Sequence, residues 1–158
     1  MVGYADCVVD KWEVSSMAGV RRVTRAILRY VYPLYVIAII LQVYFAGEGI
    51  FGAGDSSIED ANSLNLHRDF GWFIAQPIAL LVLIVTLLAW LPNKRLRVLS
   101  ILFPILLIVQ SILPSAGRWV AALHPVNAFV VLGLAGYLAS SFWRGSVAAE
   151  EASPAATL

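Results

Sequence analysis

Four apolar runs separated by short polar breaks occupy most of this 158-residue chain. They are Tyr30 to Phe51, Leu66 to Leu91, Leu96 to Leu113 and Trp119 to Phe142. A helix needs roughly 20 mostly apolar residues to cross a hydrocarbon core about 30 Å thick. The runs lack the apolar–polar alternation of a membrane barrel strand. Without water to satisfy the backbone, helices are the remaining way across. Charged residues make up only 13% of the chain, where a soluble domain carries about a quarter. The expected fold is all-α: a four-helix antiparallel transmembrane bundle over residues 20–143. An N-terminal tail, 1–19, and a disordered C-terminal tail, 144–158, flank it.

The net charge of +1 hides a strong asymmetry. Lys11, Arg21, Arg22, Arg25 and Arg29 precede the first run, Lys94, Arg95 and Arg97 fill the second break, and Arg144 follows the last run. The first and third breaks hold only Arg68 and Arg118. Nine basic residues against two place both termini in the cytoplasm by the positive-inside rule, in a multi-pass plasma-membrane protein. These cations sit near helix ends, where they anchor headgroups, so they are a lipid-bilayer signature and no nucleic-acid footprint. The single Cys7 excludes an intramolecular disulfide and carries no metal signal. The first 20 residues mix charges with short apolar stretches, unlike a cleavable signal peptide. Met17 offers a cleaner start than Met1, with basic residues and then a helix behind it.

Val20 to Arg29 reads as an interfacial extension of the first helix. That helix should end at Gly47, Gly49, Gly52 and Gly54. Ser56 and Glu59 have capping-box spacing for a short surface helix through Leu66. Pro77 lies inside helix two, Pro104 should kink helix three, and Pro114 stops it. Trp72, Trp90, Trp119 and Trp143 mark membrane borders. Gly133 and Gly136 suit close helix packing.

No Asp, Glu, Lys or Arg lies deep in a predicted span, which argues against a proton-driven transporter. The polar residues within or beside the spans are Gln42, Gln76, Gln110, His124 and Asn127, with His67 at an edge. Gln42, Gln110, His124 and Asn127 fall in the outer halves of their helices and could form one cluster. Gln76 lies nine residues from His67, half a turn round the helix, and should serve another contact.

The two histidines open helices two and four, which run parallel and can face each other across an up-down bundle. That placement suits bis-histidine ligation of haem b. Gly71 lies one turn after His67 and would let a flat macrocycle approach. Asn127 would orient His124 or bond its ring. Arg68 and Arg118 would meet propionates. Other readings compete. His67 can sit among headgroups behind Asn65 as N-cap, and His124–Pro125 can be architectural. His67 lies about 24 residues from the inner end of its helix and His124 about 19, a mismatch of roughly 7 Å.

LNLHRDFGWFIAQPIALLVL and LHPVNAFVVLGLAGYLA resemble a family of small four-helix bacterial and archaeal membrane proteins without known function. The resemblance covers about Val31 to Leu138. Its markers are the helix-two Leu-His with Gly71 and the helix-four His-Pro with Asn127. It implies the architecture and no reaction. The histidine placement is also similar to that of membrane b-type cytochromes, by analogy rather than homology. A cytochrome would exchange electrons with a quinone or a redox membrane partner. The alternatives are a non-catalytic accessory or scaffold subunit and, third, a channel or carrier protomer working as a homo-oligomer.

Overall fold

The computed structural model describes residues 5–51 and 64–145, with side chains from residue 16 onward. Four long helices fill it: α1 (Ala5–Phe51), α2 (Asn65–Ala89), α3 (Lys94–Ser115) and α4 (Arg118–Trp143). All four are long and apolar enough to cross a membrane, as a multi-pass protein requires. No strand occurs among the described residues. The expected capping box at Ser56 and Glu59 lies outside them.

α1 is longer than its apolar run at the N-terminal end. It begins at Ala5 instead of near Val20 and continues through Gly47 and Gly49. No proline interrupts the chain before Pro33. Each helical glycine costs about 1 kcal/mol relative to alanine. Ending the helix early within lipid would instead expose unsatisfied backbone groups at several kcal/mol each.

α1 and α3 each pack against α2 and α4, so α2 and α4 occupy one diagonal of the bundle. Neighbouring helices are antiparallel. Tyr35 meets Ile74 and Arg25 meets Ala89 between α1 and α2, and Trp143 meets Arg29 between α4 and α1. The centre is aromatic. The Tyr32 ring lies 5.5 Å from Phe103 and 5.3 Å from Phe142, and Tyr35 lies 5.0 Å from Phe103. Ala79, Ala89 and Ala135 are fully buried and let the helices approach. Packing of this kind holds membrane helices together, because lipid offers no hydrophobic drive between them. Leu34, Ile37, Leu81, Phe129 and other large apolar side chains cover the outside, as lipid contact demands.

Gly133 and Gly136 do not sit at a close approach. A Cβ added to either would meet nothing within 4 Å, so their small size is not used within the bundle. Pro104 lies inside an α-helix that runs unbroken from Lys94 to Ile112. Pro77 acts more strongly. Lacking an N–H and crowding the carbonyl one turn back, it sits in a π-helical turn, Ile74–Ile78. The Tyr35 hydroxyl donates to the Ile74 carbonyl at 2.9 Å and ties α1 to this widened turn.

The basic residues gather where α1 and α3 begin and α2 and α4 end. α2 stops at Trp90 in the left-handed region (φ 40°), ahead of Pro92. Arg25 secures this unfavourable turn through Nε to the Ala89 carbonyl (3.0 Å) and Nη2 to the Trp90 carbonyl (3.1 Å). Arg97 donates to the Leu91 carbonyl (3.2 Å) and stacks 4.9 Å from the Trp90 ring. Asn93 caps α3 by accepting the Leu96 N–H at 3.0 Å. Trp143 donates to the Arg29 carbonyl, and the Arg29 guanidinium lies 4.4 Å from its ring. These pairs form an aromatic and cationic belt of the kind that marks a membrane interface.

Candidate functional site

At the opposite end of the bundle the two histidine rings meet across the α2–α4 diagonal. Their centroids are 6.1 Å apart and their planes 74° apart. Both side chains are half-buried. Each is held from the preceding helix by a glutamine, in the same way twice.

His67 Nδ1 lies 3.0 Å from the Gln42 carbonyl, while the Gln42 side-chain amide donates to the His67 carbonyl at 2.6 Å. His124 Nδ1 lies 3.0 Å from the Gln110 carbonyl, while the Gln110 amide donates to the His124 carbonyl at 3.0 Å. Two helical hairpins thus present the same reciprocal glutamine–histidine clamp, α1–α2 and α3–α4. A carbonyl can only accept, so both Nδ1 atoms carry the proton and both Nε2 atoms carry the lone pair in the neutral rings. Fixing the tautomer through Nδ1 is the usual way a protein readies Nε2 for a metal.

The second clamp has a further support. Asn127 Nδ2 donates to Gln110 Oε1 (2.7 Å) and to the Leu106 carbonyl (3.1 Å). This fixes which end of the Gln110 amide faces His124, and its nitrogen approaches His124 Nε2 at 3.2 Å. Asn127 therefore orients Gln110 and through it the imidazole.

Gly71 has a different role from the one its spacing suggests. A Cβ there would collide with the Gln42 amide nitrogen and lie 3.2 Å from Gln42 Cδ. The missing side chain makes room for the first clamp rather than for a macrocycle. Gln42 Oε1 is buried and has no hydrogen-bond partner among the described residues. Neither distance along the chain nor helical periodicity reveals such a contact between helices.

Arg68 donates to Asn65 Oδ1, and Arg118 stacks 5.7 Å from the Trp119 ring; both side chains are exposed at the histidine end. Asn65 is the first residue of α2, and the N-cap position falls to Leu64. Gln76 faces elsewhere and donates to the Ser111 hydroxyl on α3. The depth mismatch between the histidines is smaller than counting residues implies. α2 ends at Ala89 and not at Leu91, and its π turn takes up an extra residue without adding a full residue's rise. No cluster of three or more metal-ligating side chains occurs among the described residues, so any metal here would rest on the histidine pair alone.

No curated protein and no solved structure matches the chain. Residues 42–118 match the model of a family of unknown function, DUF6220, a stretch that includes Gln42, His67, Gly71 and Gln110 and ends before His124 and Asn127.

Proposed function

We propose that this membrane protein binds haem b, with His67 and His124 as the two axial ligands, and serves electron transfer. One observation carries the reading: two Nδ1-tethered imidazoles lie with their ring centroids as far apart as those of two axial ligands of one iron. An imidazole nitrogen bonds a first-row metal at about 2 Å, and the ring radius adds about 1 Å, so two axial rings place their centroids about 6 Å apart. The observed separation is 6.1 Å. Two histidines suffice for a porphyrin-bound iron, since the macrocycle supplies the other four ligands. Arg68 and Arg118 lie at the same end, where propionates would emerge. The charge asymmetry favours both termini in the cytoplasm, with the histidine end towards the outer face of the plasma membrane. A quinone or a redox subunit is then the exchange partner.

A second reading has its own support. The 3.2 Å approach of the Gln110 amide to His124 Nε2 occupies the nitrogen an iron would use. In a scaffold subunit that contact would be permanent, and the polar cluster would only cement the helices. In the haem reading Gln110 gives up this contact and keeps its bond to the His124 carbonyl.

Haem content separates the two. The protein, expressed with a haem precursor and purified in detergent, is assayed by pyridine haemochrome beside His67→Ala and His124→Ala. One haem per chain, lost in both variants, supports ligation. A folded wild-type protein without haem overturns ligation and leaves the polar cluster as helix packing.

A further inference from the structure

The basic end holds a feature that neither the histidine pair nor the packing explains. Arg21 and Arg25 are one helical turn apart on α1, both half-buried, and repel each other directly. Like charges at this spacing destabilise a helix. Arg21 Nε is buried and has no hydrogen-bond partner among the described residues. Arg25 and Arg97 approach the same α2–α3 turn from two sides, donating to the carbonyls of Ala89, Trp90 and Leu91. Lys94 and Arg95 follow within the turn.

We infer that the groove between α1 and the α2–α3 turn binds the phosphate of an anionic phospholipid, with Arg21 as its principal ligand and Arg25 and Arg97 framing it. The aromatic beside these cations decides the source of the phosphate. Trp90 is 54% exposed, with its ring under Arg97 and its carbonyl held by Arg25. Trp and Tyr in that setting sit at headgroup level, so the anion met at this depth belongs to a lipid. Arg offers a planar fork that grips phosphate by two bonds, which exposed lysines do not. The inference needs membrane insertion only and stands whether or not the histidines bind haem.

Native mass spectrometry of the detergent-purified chain, titrated with phosphatidylglycerol or phosphatidylcholine, tests it. Phosphatidylglycerol should form a one-to-one adduct that phosphatidylcholine does not. Arg21→Gln should weaken it about fivefold, the share expected of one cation at a membrane surface. Arg22→Gln removes the same charge from an exposed position on a different helix face and should leave the adduct unchanged. Equal losses in both variants would mean a diffuse charge effect and overturn the site. Displacement of the lipid by millimolar inorganic phosphate would overturn the lipid as its ligand. An unaltered adduct in Arg21→Gln would remove Arg21 from it.

Discussion

Gly71→Ala probes the clamp at His67 without touching either histidine. The new methyl would overlap the Gln42 amide nitrogen and stand 3.2 Å from Gln42 Cδ. The obstacle is the far end of a flexible side chain, so Gln42 swings aside and the backbones stay in place. The swing loses the bond from Gln42 to the His67 carbonyl. Interhelical hydrogen bonds in membranes average about 0.6 kcal/mol and reach about 1.7. Replacing glycine by alanine inside a helix returns about 0.8–1 kcal/mol. The single variant should therefore stay within about 1 kcal/mol of wild type, with the two effects nearly cancelling. The coupling is the informative quantity. In a Gln42→Ala background the methyl meets no amide, and Gly71→Ala should stabilise by the full propensity gain, about 1 kcal/mol. A double-mutant cycle measured by reversible unfolding in mixed micelles should give an interaction of about 0.6–1.7 kcal/mol. Zero coupling, with Gly71→Ala behaving alike in both backgrounds, would refute the proposed fit between Gly71 and Gln42.

Tyr35→Phe removes the hydroxyl that binds the Ile74 carbonyl in the π turn and should cost about 1 kcal/mol in the same unfolding assay. Tyr44→Phe, on an exposed tyrosine, should cost nothing measurable. Thr86 and Ser100 sit beside the Tyr32 hydroxyl in the core, yet none of the three oxygens attains hydrogen-bond geometry with a partner among the described residues. The oxygens are close without bonding, so Thr86→Val, which keeps the shape, should leave stability unchanged or raise it; a loss above about 1 kcal/mol would show a full hydrogen bond there. Should the protein load haem, the 74° between the imidazole planes predicts a low-spin ferric paramagnetic resonance dominated by one low-field feature. A rhombic three-line signal would mean that the rings rotate to near-parallel.

Much of the architecture could be read from the chain because membrane helices announce themselves by length and apolarity. Four runs and short breaks leave one up-down arrangement, and that puts α2 and α4 on a diagonal. The polar residues inside the spans were visible for the same reason, since Gln42, Gln110 and Asn127 stand out against lipid-facing leucines. The expected grouping of Gln110, His124 and Asn127 is present, whereas the pairing of Gln42 with His67 was not visible. Gln42 reaches the histidine 25 positions on and Gln110 the one 14 positions on, and no periodicity links two helices across a loop. Gly71 looked like space for a cofactor because a missing Cβ has no sequence-level direction; the structure directs it at Gln42. The π turn followed from Pro77 only as an irregularity, since proline removes a bond without specifying whether the helix kinks or widens. The N-terminal extension of α1 was missed because polar residues with good helix propensity resemble a tail when apolarity is the guide.

The proposed function turns on ligation of one haem iron by both His67 and His124. A dithionite-reduced minus oxidised absorbance spectrum of the detergent-purified, haem-supplied protein tests it most directly. Ligation gives a sharp alpha band of the b-type cytochrome kind, present in wild type and absent from both histidine-to-alanine variants. A flat spectrum from well-folded wild-type protein would contradict it and leave the glutamine–histidine clamps as helix cement.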